Sequence, residues 1–224
     1  MGDGQLSLAE QLSGLYQCMQ SRMAPVDFET LRHAESMVAA DRAGKATARP
    51  GDPAPGFALR DQNGVSVRLA DWLALGPVVL LFSRGGWCPF CTLWLRAWQD
   101  ALPQLHDAGG NLLAIFPQQA EACSRAAKRD LLTYPVLSDP GGEVADNYGI
   151  SVDLPEMVRP LFVRLGHDLP RVNGSGTWRL PLPATFVIAR DGGIAASHAD
   201  LTLPNRQEPK AAIEAVRRLA VRAA

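Results

Sequence analysis

The chain of 224 residues has almost no net charge: 22 Lys and Arg stand against 23 Asp and Glu, leaving −1. With a pI near 6.4, it carries no basic footprint for nucleic acid or an anionic lipid surface. Long apolar runs are also missing. The longest, within LALGPVVLLF at 73–82, is about half of what a membrane crossing requires. The opening MGDGQLSLAEQ lacks the basic start and apolar centre of a secretory signal, so a cytoplasmic location is expected. Cysteine is scarce, at four, and in a reducing compartment such cysteines are catalytic, metal-bound or free rather than structural disulfides. No internal repeat or low-complexity tract is present.

What remains is a globular composition, 47% apolar with a mean hydropathy of −0.04. This length suffices for one substantial domain with an appendage, or two small ones, and for a core that needs no disulfide staples. Residues 1–47 read as a helical extension. Ser7-Leu-Ala-Glu10 fits a capping box, and Leu8, Leu12, Leu15, Tyr16 and Met19 follow at helical spacing. After Pro25 a second stripe runs through Phe28, Leu31 and Val38. These stripes must pack on the main domain or across a homodimer interface.

The Pro- and Gly-rich ARPGDPAPGF at 48–57 marks the start of a second region, 48–224. FALRDQNGVSVRL reads as a hairpin, with Asn63-Gly64 supplying two positive-φ positions. PVVLLFS (77–83), NLLAIFP (111–117) and the first half of PATFVIARDGGIAASHAD (183–200) are continuously apolar, as strands covered on both faces are. Helical stretches separate them, and EPKAAIEAVRRLAVRAA closes the chain as a helix. LPEMVRPLFVRLG (154–166) is a further helical insertion. The order predicts an α/β fold, a central mixed sheet between helices.

Within GGWCPFC, Cys88 and Cys91 follow a buried strand and begin a helix. Free N–H groups and the positive end of the helix dipole there stabilise an anion, which for a thiol is the reactive form. A pKa of 8.5 leaves about 3% thiolate at pH 7, whereas one near 6.5 gives roughly 75%. Three-residue spacing lets the two sulfurs close a disulfide. The alternatives are two small buried hydrophobes or half a metal site. Metal is not expected, because Cys18 and Cys123 lie in separate helices and His33, His106, His167 and His198 are scattered singly. Arg84 and Trp87 are candidate thiolate-stabilising or substrate-binding residues; a strand-end arginine and a packing tryptophan are the plainer readings.

FSRGGWCPFC, followed by NLLAIFPQ, YPVLSD and LPLPATFVIARDGGIAASHAD, resembles the peroxiredoxin-like branch of the alkyl hydroperoxide reductase/thiol-specific antioxidant family over roughly residues 50–217. The resemblance implies a thioredoxin-like fold and thiol-based peroxide or disulfide chemistry; no cofactor is expected. CPFC is also similar to the glutaredoxin CPYC. Typical members carry Pro-x-x-x-Thr/Ser-x-x-Cys and a distant arginine. Counted back from Cys91, the Thr/Ser place holds Cys88 and the proline place Arg84; counted from Cys88, they hold Gly85 and Leu81. Where the arginine is expected stands Pro183, similar to the cis-proline that faces the cysteine pair in thioredoxins.

The expected function is thiol-dependent reduction of hydroperoxides, with thioredoxin, glutaredoxin or a small thiol as reductant. The rival expectations are a disulfide oxidoreductase without peroxide chemistry and a non-catalytic redox sensor. Family position makes Cys91 the attacking sulfur. The thioredoxin pattern and the helix mouth favour Cys88, since burial without offsetting groups raises the pKa of Cys91.

Overall fold

The computed structural model describes residues 6–223; the first five residues, which belong to the stretch read as lacking a signal, lie outside them. Helices α1 (Leu8–Arg22) and α2 (Pro25–Arg42) form the extension. The capping box is made: Ser7 Oγ accepts from Glu10 N, and Glu10 accepts from Ser7 N at 2.8 Å. A hairpin follows, β1 (Ala58–Asp61) and β2 (Ser66–Arg68), then α3 (Leu69–Leu75) and β3 (Val78–Phe82). Next come α4 (Pro89–Asp107), β4 (Asn111–Phe116), α5 (Ala120–Arg129), β5 (Val136–Ser138) and α6 (Glu143–Asn147). A small ribbon, β6 (Ser151–Asp153) with β7 (Arg179–Pro181), frames an insertion that contains α7 (Arg159–Arg164) and α8 (Leu169–Val172). The chain ends in β8 (Ala184–Ile188), β9 (Ile194–Ala199) and α9 (Pro209–Ala223).

Among the described residues, one sheet of seven strands runs β2-β1-β5-β4-β3-β8-β9. β3 is parallel to β4 and β4 to β5, while β8 joins antiparallel, so the sheet is mixed as expected. β3, β4 and β8 all lie inside the sheet. Their alternating residues feed two cores. Val79, Leu81, Leu112 and Phe116 face Trp94, Trp98 and Ile213. Val78, Leu80, Leu113 and Phe186 face Leu73, Val144 and Tyr148.

The extension packs on this body. Leu12 is wholly buried in the first core, and α1 lies along α4. Glu208, just before α9, accepts from Ala9 N at 3.1 Å and so satisfies a free donor in the first turn of α1. Ala34 of α2 packs on Val158 and Leu161 of the insertion.

Two local expectations are corrected. The β1–β2 turn uses one positive-φ residue, Gly64, rather than Asn63 and Gly64. Asp61 Oδ1 accepts from both Asn63 N and Val65 N at 2.8 Å, and this side-chain bracket shapes a longer loop. The stretch 154–166 is two pieces rather than one helix, a 3-10 turn at Glu156–Val158 and then α7, because Pro160 has no N–H and fits only the first turn of a helix.

Candidate functional site

β3 delivers the chain into a tight loop whose two glycines are required by close approach. Gly85 has φ of +118°, and a Cβ there would lie 2.7 Å from Gln118 Oε1. At Gly86 a Cβ would lie 2.5 Å from the Ala126 Cβ, and its N–H donates to Gln118 Oε1 at 2.8 Å. Gln118 thereby ties the loop to the end of β4. Cys88 then caps α4, Pro89 takes the first turn without losing a bond, and Cys91 follows within that turn.

Both sulfurs are free thiols and almost inaccessible, Cys88 being 2% and Cys91 0% exposed. They lie close enough for each to shift the titration of the other. Cys91 was expected to lack groups that offset its burial, and the structure supplies them. Arg206 Nη2 lies 4.0 Å from Cys91 Sγ. Arg84 and a Ser83 hydrogen bond add to its effect. Burial alone raises the Cys91 pKa, but the Cys88 S–H, the two guanidiniums and Ser83 together hold it well below the ordinary thiol value. The Cys88 pKa is pushed well above it, first because it donates to Cys91 and then by burial. Of the two sulfurs, Cys91 is therefore the one that ionises more readily.

Sequence reasoning missed Arg206. It sits in the irregular segment between β9 and α9, where no periodicity marks a buried face. That segment is firmly held: Arg206 Nη1 donates to the Thr202 and Asn205 carbonyls at 2.9 and 2.7 Å, Trp94 Nε1 to Gln207 O at 3.1 Å, and Arg84 Nη2 to Leu201 O at 2.8 Å.

Above Cys88 lies an apolar cavity of about 270 Å³. Its walls come from the extension (Met19, Leu31, Val38), the insertion (Val158, Phe162) and the segment after β9 (Leu203). Arg84, Trp87 and Cys88 open onto it, whereas Cys91 lies behind. The Trp87 ring packs 4.8 Å from that of His167 and 5.9 Å from that of Phe162. The polar residues in this wall are few, and one of them, Glu35, also escaped sequence reading. Its signal was there: it interrupts the apolar stripe of α2 between Leu31 and Val38.

Arg84, Trp87, Cys88 and Cys91 are thus brought together. Pro183 is not part of the cavity wall, and the expected cis peptide is absent: Leu182–Pro183 is trans. Leu182 N donates to Ile150 O at 2.8 Å and Pro183 O accepts from Asp200 N at 3.2 Å, so the chain passes from β7 into β8 in extended form. Cys123 is fully buried, its Sγ 3.6 Å from Gln118 O, and burial pushes its pKa up to about 12. It is an inert thiol. Cys18 is exposed on α1, far from the pair in the sequence. Among the described residues, no group of three or more His, Cys, Asp or Glu could hold a metal ion, and no helix is long and apolar enough to cross a membrane.

Residues 50–197 match the AhpC/TSA family. The chain belongs to that family. Among curated relatives, Peroxiredoxin Bcp of Escherichia coli K12 is 32% identical over 102 residues, 46% of this chain and 65% of that protein. A putative peroxiredoxin of Mycobacterium tuberculosis is 36% identical over 100 residues, 45% of this chain and 63% of that protein. The chain therefore spans just under two thirds of the length of these relatives. The crystal structure of Peroxidoxin BcpB from M. tuberculosis superposes with a TM-score of 0.63 at 23% identity, covering 76% of this chain and 97% of that one. The shared architecture is the thioredoxin-like fold of the family. The extension made of α1 and α2 precedes the matched residues, so its share of the cavity wall lies outside the family match.

Proposed function

We propose that this protein is a thiol-dependent peroxidase that reduces hydroperoxides through a Cys88–Cys91 dithiol–disulfide cycle. The observation that carries this reading is two buried cysteines within one helical turn, with Arg206 Nη2 4.0 Å from Cys91 Sγ and with Arg84 and Cys88 in the wall of an apolar cavity. Family membership supports the reaction type, and Arg206 supplies a guanidinium beside the pair, answering one of the two absences, Thr/Ser and arginine, that favoured a disulfide oxidoreductase.

Cys88 meets the substrate, because it is the sulfur on the cavity wall. Its S–H proton passes to the Cys91 thiolate as Cys88 sulfur attacks the outer peroxide oxygen. The O–O bond breaks, Cys88 becomes a sulfenic acid, and the other oxygen leaves as an alkoxide. Cys91 thiol then attacks the sulfenic sulfur, its proton departs with the oxygen as water, and the disulfide closes. An external dithiol or two thiols restore the pair. Arg84 and Arg206 stabilise the charge throughout, while Trp87 shields the sulfurs.

The apolar walls favour an organic hydroperoxide over hydrogen peroxide. With Cys88 only 2% exposed, a small thiol entering the cavity is the reductant we favour; thioredoxin or glutaredoxin would require the walls to part. The cytoplasm is the compartment that keeps such donors reduced. Both sulfurs and both guanidiniums of this site come from a single chain. Peroxide consumption by the pure protein decides the matter, with glutathione and then with thioredoxin and its reductase. Loss of cumene hydroperoxide well above the rate of free thiol is expected. No peroxide loss, alongside reduction of a protein disulfide, would establish the oxidoreductase instead.

A further inference from the structure

The sulfur chemistry leaves one proton to be found. The alkoxide leaving the peroxide is released into an apolar cavity, where an unsolvated anion is costly. Few groups in the wall can meet it. Arg84 does not give up a proton. The His167 ring packs on Trp87 and burial lowers its pKa, so it is a neutral base rather than an acid. Glu35 remains. It projects from the middle of α2 into the cavity wall that also holds Arg84 and Cys88.

The charges around Glu35 do not force it to ionise. Arg32, on the same helix, pairs with Glu29 at 3.8 Å, and Arg84 donates to the Leu201 carbonyl. From the segment after β9, Asp200 opposes a negative charge while the Leu203 N–H favours one. Burial outweighs the two arginines and raises the pKa of the Glu35 carboxyl from its ordinary value.

We propose that Glu35 is the catalytic acid of this site, giving its proton to the oxygen that leaves when Cys88 attacks a hydroperoxide. The role rests on the peroxidase reading above. As the O–O bond breaks, its electron pair goes to the leaving oxygen. The Glu35 O–H bond breaks, the alcohol O–H bond forms, and Glu35 is left as carboxylate. Reduction of the Cys88–Cys91 disulfide by two thiols returns one S–H, one thiolate and one spare proton, and that proton restores Glu35. The acid thus comes from the added extension, outside the residues that match the family.

The test exploits the leaving group. An alkyl hydroperoxide expels a strongly basic alkoxide, whereas peracetic acid expels acetate, which needs no proton. Oxidation of the pair is followed by stopped-flow tryptophan fluorescence in wild type and Glu35→Gln. General acid catalysis is worth about 10²–10⁴-fold. Glu35→Gln is expected to slow tert-butyl hydroperoxide by roughly that factor and to change peracetic acid less than about threefold. With the alkyl hydroperoxide, the wild-type rate should fall as pH rises through the Glu35 pKa, and that limb should be missing in the variant. Equal slowing with both oxidants would make Glu35 a structural residue, and no slowing with either would dismiss it. Wild type reacting with neither oxidant faster than a free thiol would overturn the peroxidase reading and this role together.

Discussion

Arg206 Nη2 lies 4.0 Å from Cys91 Sγ, although 115 positions separate the two residues in the chain. The guanidinium is nearly buried and is aimed by the carbonyls of Thr202 and Asn205. Replacing it by Gln or Met should raise the pKa of the thiol pair, since the Cys91 thiolate loses a close cation. Alkylation by iodoacetamide at pH 7 is expected to slow roughly tenfold. Its pH profile should move to higher pH. An unchanged profile would mean that Arg84 and Ser83 suffice.

The two cysteines should behave differently as single variants. Cys91→Ser is expected to react once with cumene hydroperoxide and stop at a sulfenic acid on Cys88, trapped by dimedone and located by mass spectrometry. Cys88→Ser should be nearly inert toward the same peroxide, because Cys91 lies behind the cavity wall. A dimedone adduct on Cys91 in the Cys88→Ser protein, formed at the wild-type rate, would make Cys91 the attacking sulfur and restore the position given by family resemblance.

Cavity size can be altered without touching the sulfurs. Leu31 lies half-buried in the wall. Leu31→Trp should reduce the rate with cumene hydroperoxide by about tenfold or more, on the order of what one misfitted apolar contact costs, and leave hydrogen peroxide nearly unaffected. A parallel loss with both would show that the substitution disturbs the pair rather than the space above it.

The extension is part of the folded body, so its core residue should count as one. Leu12 is 0% exposed and packs with the first core. Leu12→Ala is expected to destabilise the protein by about 2–4 kcal/mol, read from urea unfolding. An unchanged midpoint would mark α1 as an appendage whose contacts carry no stability.

The strands that matter most were legible because burial on both faces leaves a plain record. VVLLF of β3 and ATFVI of β8 are wholly buried, and continuous apolar runs predicted as much. The cysteine pair was legible through its local setting, strand then glycines then helix. Arg206 and Glu35 were not, for different reasons. Arg206 owes its role to a partner on a distant helix, and nothing near it in sequence distinguishes it from a surface arginine. Glu35 did break a helical stripe, but a charged residue on such a stripe gains meaning only when the opposing wall is known. The trans Leu182–Pro183 peptide shows the limit of likeness: similarity to thioredoxins at one proline did not extend to its conformation.

The docking of α1 on α4 and of α2 on the insertion has a consequence for biosynthesis. Both helices precede these partners in the chain, so during synthesis they have nothing to rest on until segments far downstream have been made, and their apolar stripes wait in water. Through that interval the chain lacks its cover over Cys88, and the thiols stand open to any oxidant in the surroundings. Newly made protein should therefore be more vulnerable to oxidation than the finished molecule, a difference that pulse-labelled thiol trapping would reveal.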